Sequence, residues 1–190
     1  EFLAANLTNE MNSPDKFKEY LNLAPKYGIK VVPPSINRSE TQFSVDKGEI
    51  LYGLAAIKNV GANVVDVIIE ERRKNGPYKS FMDFLSRQGE STLNSRLVEC
   101  LIKAGCFDEL GVDRAVLLAN LDEALRFDKA EKAQSAFGQL SLFGDAEEVG
   151  LEEFKMRSAD PLPTLEKLKM EKDLLGFYIS GHPLDTYEKE

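Results

Sequence analysis

The chain has 190 residues, 43% of them hydrophobic and 29% charged, an ordinary globular balance that allows one large domain or two small ones. No apolar run approaches the roughly 20 residues of a membrane span, and the opening "EFLAANLTNE" lacks the basic n-region and cleavage site of a signal peptide. The net charge of −8 argues against broad coating of nucleic acid, and it is uneven: six acids and six bases in residues 1–48, nine and eight in 49–110, seventeen and ten in 111–190. A DNA contact, if the chain makes one, belongs to the first two thirds and must be local.

The first segment, "EFLAANLTNEMN", reads as the end of a helix with Phe2, Leu3 and Leu7 on one face. In "SPDKFKEYLNLAPKYG", Ser13 suits the N-cap, Pro14 the first helical position and Gly28 the C-terminal cap. Phe17, Tyr20 and Leu21 form its apolar face. "IKVVPP" predicts a short strand closed by prolines, and "TQFSVDKGEILYGL" a hairpin turning at Asp46-Lys47-Gly48. Residues 1–48 are therefore expected to form a small α/β piece.

From Leu54 the pattern changes to short helices joined by Gly turns. "AAIKN" leads into "VGANVVDVIIEERRKNG", with Val64, Val65, Ile68 and Ile69 inward and Gly76 as the stop. Arg72, Arg73 and Lys74 read as a solvated helix end that suits the dipole. "KSFMDFLSRQG" is another short helix, and "NSRLVECLIKAG" runs from a cap at Asn94 to Gly105. The longest helix, "DRAVLLANLDEALRFDKAEKAQ", is capped by Asp113, with Val116, Leu117, Ala119, Leu121, Ala124 and Leu125 on its apolar face. Residues 136–163 read as a linker. Pro161 and Pro163 introduce a last helix, Thr164 to Leu175, within a closing segment 164–190. The fold class expected is mainly α: short helices over 49–135 whose turns resemble a tandem helix-hairpin-helix region, preceded by the α/β piece.

Cys100 and Cys106 suggest no disulfide framework, so a reducing cytoplasm is the expected setting. With His182 they make a poor metal set, and no metal site is expected. An enzyme built on Cys106 and His182 has little support, because no nucleophile pattern surrounds either. No Asp-x-Asp pair in a strand context and no Gly-rich phosphate loop occurs, so no complete active site is expected.

Two helix-turn-helix units carry the functional argument. In "GLAAIKNVGANVVDVIIEE" a short helix ends at Asn59, Val60 and Gly61 make a hairpin, and a second helix starts near Ala62. A tight turn feeding a helix N-terminus leaves several backbone amides free and aligned with the dipole, a ready seat for phosphate. Lys58 adds a point charge, and Asn59 and Asn63 neutral hydrogen bonds. Asn59 stands where the pattern has its first Gly, and Asn tolerates the left-handed conformation. The second unit, "LVECLIKAGCFDELG", offers Lys103, Ala104, Gly105 and Cys106 and keeps only one Gly. Such contacts hold a backbone without reading bases. The alternative is an ordinary helical bundle with Gly caps.

A third feature lies in the linker. "QLSLF", Gln139 to Phe143, places a hydrogen-bonding amide first and an apolar Leu-Phe pair last. That pattern suits docking of an extended peptide; it equally suits a segment folded back on the preceding helix.

"ILYGLAAIKNVGANVVDVIIEERRKNGPYKSFMDFL", "LNSRLVECLIKAGCFDELG", "DRAVLLANLDEAL", "GQLSLFG" and "EKDLLGFYISGHPLDTY" occur in that order. Together they closely resemble the C-family replicative polymerases, the alpha subunits of bacterial DNA polymerase III, and the resemblance covers essentially the whole chain. The start without an initiator Met and the abrupt end fit a piece of a longer protein. The resemblance implies that this piece runs from the end of the fingers domain through the tandem helix-hairpin-helix region and stops before an OB-fold. It implies that Lys58, Asn59, Val60, Gly61, Ala62 and Asn63 form the first DNA-contacting hairpin, and Lys103 to Cys106 the second. It implies that Gln139, Leu140, Ser141, Leu142 and Phe143 are the binding motif for the beta sliding clamp. Other holoenzyme subunits are further implied partners. The parent reaction would be template-directed DNA synthesis with Mg²⁺, its catalytic aspartates lying upstream, so this piece would need no cofactor and be inactive by itself. A helix-hairpin-helix module of a repair or recombination protein is the rival reading, and it would be indifferent to a clamp.

Overall fold

A computed structural model describes residues 1–10, 13–89, 92–140 and 154–181. Helix α1 (Phe2–Asn9) packs on α2 (Pro14–Leu23) beside a three-stranded sheet. The strands are β1 (Val31–Val32), β2 (Ser44–Asp46) and β3 (Glu49–Leu51), in the order β1-β3-β2. Strand β1 runs parallel to β3, with Val31 opposite Ile50, and β2 is antiparallel to β3, with Val45 opposite Ile50. The β2–β3 turn carries positive φ at both Lys47 (51°) and Gly48 (83°), the type I′ geometry that matches strand twist. Leu3 and Leu7 are buried as expected, whereas Phe2 faces outward and is 81% exposed. Ser13 makes no side-chain cap bond to α2, and Gly28 closes a 3-10 turn, Pro25–Tyr27, rather than the helix itself.

The helical region follows. A 3-10 turn, Leu54–Ala56, stands where a short helix was expected. Then come α3 (Ala62–Asn75), α4 (Phe81–Arg87), α5 (Ser95–Lys103), a 3-10 turn at Asp108–Leu110, α6 (Arg114–Leu140) and α7 (Thr164–Leu175). The caps explain the boundaries. The Ser80 hydroxyl accepts from the Asp83 amide, and the Asn94 side chain from the Leu97 amide, each engaging an otherwise unpaired donor. Gly76, at φ 85°, ends α3. Helix α6 runs six residues beyond Gln134, into the stretch read as linker. No helix among the described residues is long and apolar enough to cross a membrane.

One core runs from Leu3 through Tyr52, Phe84, Leu101 and Phe107 to Leu175. The boundary expected after residue 48 falls inside the β2–β3 hairpin, and the core continues across it. The expected linker also takes part. Phe154 meets Phe127 of α6 with ring centroids 5.3 Å apart, and the Arg157 amide donates to the Asn120 side chain at 2.9 Å. Helix α7 packs on α5 and buries Leu168, Leu174 and Leu175. A hydrophobic stripe must be covered by something, and here segments distant in sequence cover it.

Arg72 departs from the solvated helix end expected of it. Its side chain is buried, with Nη1 donating to the carbonyls of Ile36 and Ser39 at 2.9 Å each and Nη2 to Glu40 at 3.2 Å. The Ser35 hydroxyl donates to Glu109 at 2.6 Å, and the Ile36 amide to the Cys106 carbonyl at 2.8 Å. Residues 35–40 thus bind the sheet region to the helices through otherwise unpaired carbonyls, which a buried guanidinium satisfies well.

Candidate nucleic-acid interface

The first turn is built as the sequence predicts. The Val60 amide donates to Ile57 at 3.1 Å, Val60 is buried as a plug, and Asn59 takes φ 64°. Gly61 is the N-cap of α3 at φ −80°, and its carbonyl receives the Val65 amide at 3.2 Å. No side chain caps this helix, and its first turn holds no acidic residue. The amides of Ala62, Asn63 and Val64 precede the first intrahelical bond and point out of the helix end. Lys58, Asn59, Gly61, Ala62 and Asn63 are all exposed, and a Cβ at Gly61 would meet nothing within 4 Å. The arrangement can seat a phosphate on amides, with the Lys58 ammonium beside it. Asp66, one turn along α3, accepts the Thr41 hydroxyl at 2.6 Å.

The second unit is built differently. The amides of Ala104, Gly105 and Cys106 already donate to the carbonyls of Cys100, Ile102 and Leu101, at 2.9, 2.9 and 3.0 Å. Ala104, Gly105 and Cys106 are buried. Lys103 is paired with Glu99. Amides engaged inside the fold are not free for a phosphate, so these four residues do not reproduce the first turn. Burial, and then the Asp108 charge, push the Cys106 thiol well above its ordinary range, the opposite of an activated nucleophile.

What fills the second unit is Arg114, at the start of α6. Its Nη1 donates to the Lys103 carbonyl at 3.1 Å, and Nε and Nη2 hold the Asp108 carboxylate at 2.9 and 2.6 Å. Nη2 also donates to Glu171 of α7 at 3.0 Å. The other Glu171 oxygen accepts from the Ser180 amide and hydroxyl at 3.1 and 3.0 Å. One turn further along α7, the Leu174 carbonyl accepts the Lys58 amide at 3.0 Å, and the Leu175 carbonyl accepts the Tyr52 hydroxyl at 3.0 Å. Burial pushes the Tyr52 phenol up, which keeps it a neutral donor. Glu171 was not singled out in the sequence. The available signal was a carboxylate at the apolar spacing of Leu168, Leu174 and Leu175, the mark of a buried pair.

Gln139 and Leu140 close α6; Ser141, Leu142 and Phe143 lie outside the described residues, as does His182. Among the described residues, no three His, Cys, Asp or Glu side chains stand together in a way that could hold a metal ion.

A 3-10 turn, a left-handed hinge and an uncapped helix start are the parts of a helix-hairpin-helix unit, and residues 28–117 match the family model of the helix-hairpin-helix motif. The chain is homologous over nearly its whole length to the alpha subunit of DNA polymerase III. It is 44% identical over 187 residues to that subunit from Treponema pallidum and 44% over 190 residues to the one from Borreliella burgdorferi, covering 98% and 99% of this chain. Against the Escherichia coli subunit the identity is 38% over 192 residues, covering all of this chain. The chain spans only 16%, 17% and 17% of those three proteins.

Proposed function

We propose that this chain is a non-catalytic segment of a replicative DNA polymerase, that it holds the backbone of duplex DNA at the Lys58–Asn63 turn, and that it tethers the enzyme to its sliding clamp through Gln139–Phe143. The observation that carries the DNA reading is the exposed, uncapped start of α3 behind the left-handed Asn59. Backbone amides recognise phosphate without regard to sequence, as a polymerase moving along every template requires. Synthesis itself, with its Mg²⁺, would belong to other parts of the polymerase, and this segment alone should incorporate no nucleotide. The other holoenzyme subunits are proposed as partners on the homology alone.

The clamp reading rests on the residue pattern. Burying a Leu and a Phe is worth about 3–6 kcal/mol gross, and micromolar affinity needs about 8 kcal/mol. The result is a releasable tether that gains effective concentration once the DNA is also held.

Fluorescence anisotropy with a labelled duplex across a salt series tests the first claim. Binding should weaken steeply with salt, and Lys58→Ala should weaken it further. Equal binding by the variant at low salt would refute the assignment. Binding to immobilised beta clamp, compared with the double variant Leu142→Ala, Phe143→Ala, tests the second. Unchanged affinity in the double variant would sink the tether and leave the segment with the DNA-holding role alone.

A further inference from the structure

We propose that the second hairpin's ligand is α7 rather than DNA, and that the Arg114–Glu171 pair, acting through α7, positions the Lys58–Asn63 turn for the phosphate. The inference rests on the reading of that turn as the backbone-binding element. Three observations carry it.

The first is polarity. The first unit presents amides to an anion, whereas the second has engaged its amides and presents the Lys103 carbonyl to a cation, the Arg114 guanidinium. That cation then holds the Glu171 carboxylate. An internal guanidinium, paired with an internal carboxylate, thus occupies the second turn at Lys103 and Gly105.

The second is burial. Arg114 is 4% exposed and Glu171 0%. A buried charge left without its partner is strongly unfavourable, so the pair has one arrangement rather than many. Glu171 is also held from the other side by the Ser180 amide and hydroxyl and by the Ile179 amide, at 3.3 Å. The carboxylate is fixed at both oxygens, and with it the rotation of α7 about its own axis.

The third is leverage. Leu174 follows Glu171 by one turn of a continuous helix, and its carbonyl holds the Lys58 amide. The 3-10 turn below is bound to the same helix end by Tyr52, which donates to Leu175. A helix is stiff over one turn, so a shift at Glu171 is passed on to Lys58. The turn that begins at Lys58 is thus joined to α7 directly by the Lys58 amide and indirectly by Tyr52. Arg114 and Glu171 are thereby positioning residues, acting on the DNA site without touching DNA.

The test uses the whole chain and a short mixed-sequence duplex. In amide correlation spectra, adding duplex should move the amides of Gly61, Ala62, Asn63 and Val64 and leave those of Ala104, Gly105 and Cys106 in place. Glu171→Gln should speed hydrogen exchange at the Lys58 amide by about tenfold beyond any change in global stability, and lower duplex affinity several-fold without changing its salt slope. Lys58→Ala, by contrast, should reduce that slope. Where Glu171→Gln does not fold, Ser180→Ala removes one donor to the same carboxylate and should give the same changes at smaller amplitude. Duplex-induced shifts at Ala104–Cys106, or unchanged Lys58 exchange in the folded variant, overturn the proposal. If the wild-type chain binds no duplex, the DNA reading fails by itself, and Lys58 exchange still decides whether α7 holds the turn.

Discussion

Gly105 and Arg114 share a space with no room for a methyl group. A Cβ at Gly105 would overlap the Arg114 guanidinium and stand 2.9 Å from its Cζ, and Gly105 has φ 87°. The absent side chain at this position is thus the condition for the buried ion pair between α6 and α7.

Gly105→Ala should therefore be among the more destabilising single substitutions in the chain. The left-handed conformation alone costs a non-glycine residue about 1–2 kcal/mol, and displacing Arg114 strands Glu171. We expect a clear drop in midpoint by urea or thermal unfolding, with α7 the first element to lose exchange protection. A midpoint equal to wild type would show that Arg114 can relocate freely.

Gly61→Asp should separate stability from binding. The site is open, its φ of −80° is ordinary, and aspartate is a good N-cap beside a helix start. Thermal stability should be unchanged or higher by a few tenths of a kcal/mol, while duplex affinity falls because a carboxylate occupies the phosphate's seat. The pair of measurements is decisive: lost stability together with lost binding would point to mere misfolding of the turn.

Lys132 has a structural task that its charge does not advertise. Its ammonium donates to the carbonyls of Leu85 and Gln88 at 2.8 and 2.7 Å and to Asp128 at 2.7 Å, closing the C-terminal end of α4 against α6. Lys132→Met keeps the aliphatic stem and removes the donors. A cost of about 1–2 kcal/mol is expected by chemical denaturation, with duplex binding unaffected.

Acid should loosen the attachment of α7. The Asp113 carboxyl is held below the usual range by the hydrogen bond from Lys167 of α7 and then by the Ala115 amide. Its folded pKa is depressed, so its stabilisation is present above the unfolded value of about 3.9 and is lost as pH falls through the folded one. Glu71, lowered by Asn75 and then by Arg87, contributes with the same sign. Melting curves from pH 6 to pH 3 should show wild type losing stability faster than Lys167→Met, which has no such pair to lose. Parallel curves would count against the Asp113–Lys167 contact.

Much of the local structure was legible in the residues. Asn94 caps where its chemistry suggests, Gly76 stops α3, and Asn59 takes the left-handed hinge. These are nearest-neighbour effects, written within four or five positions. Phe2 and Arg72 misled for a common reason. Periodicity tells which side chains share a face but not which face another segment will cover, and residues 35–40 cover the side of α3 that Arg72 occupies.

The sequence by itself determined most of the helices, the caps at Asn94 and Gly76, the strand pair and its turn, and the helix-hairpin-helix character of residues around Gly61, because each depends on backbone preferences and short-range hydrogen bonds. Only the tertiary structure decided that the two hairpins differ. Lys103–Cys106 resembles a phosphate turn as a string of letters, yet its amides are engaged and Arg114 faces Glu171 across it. The partners of a buried charge are chosen by packing between segments far apart in the chain, and no local pattern records that choice.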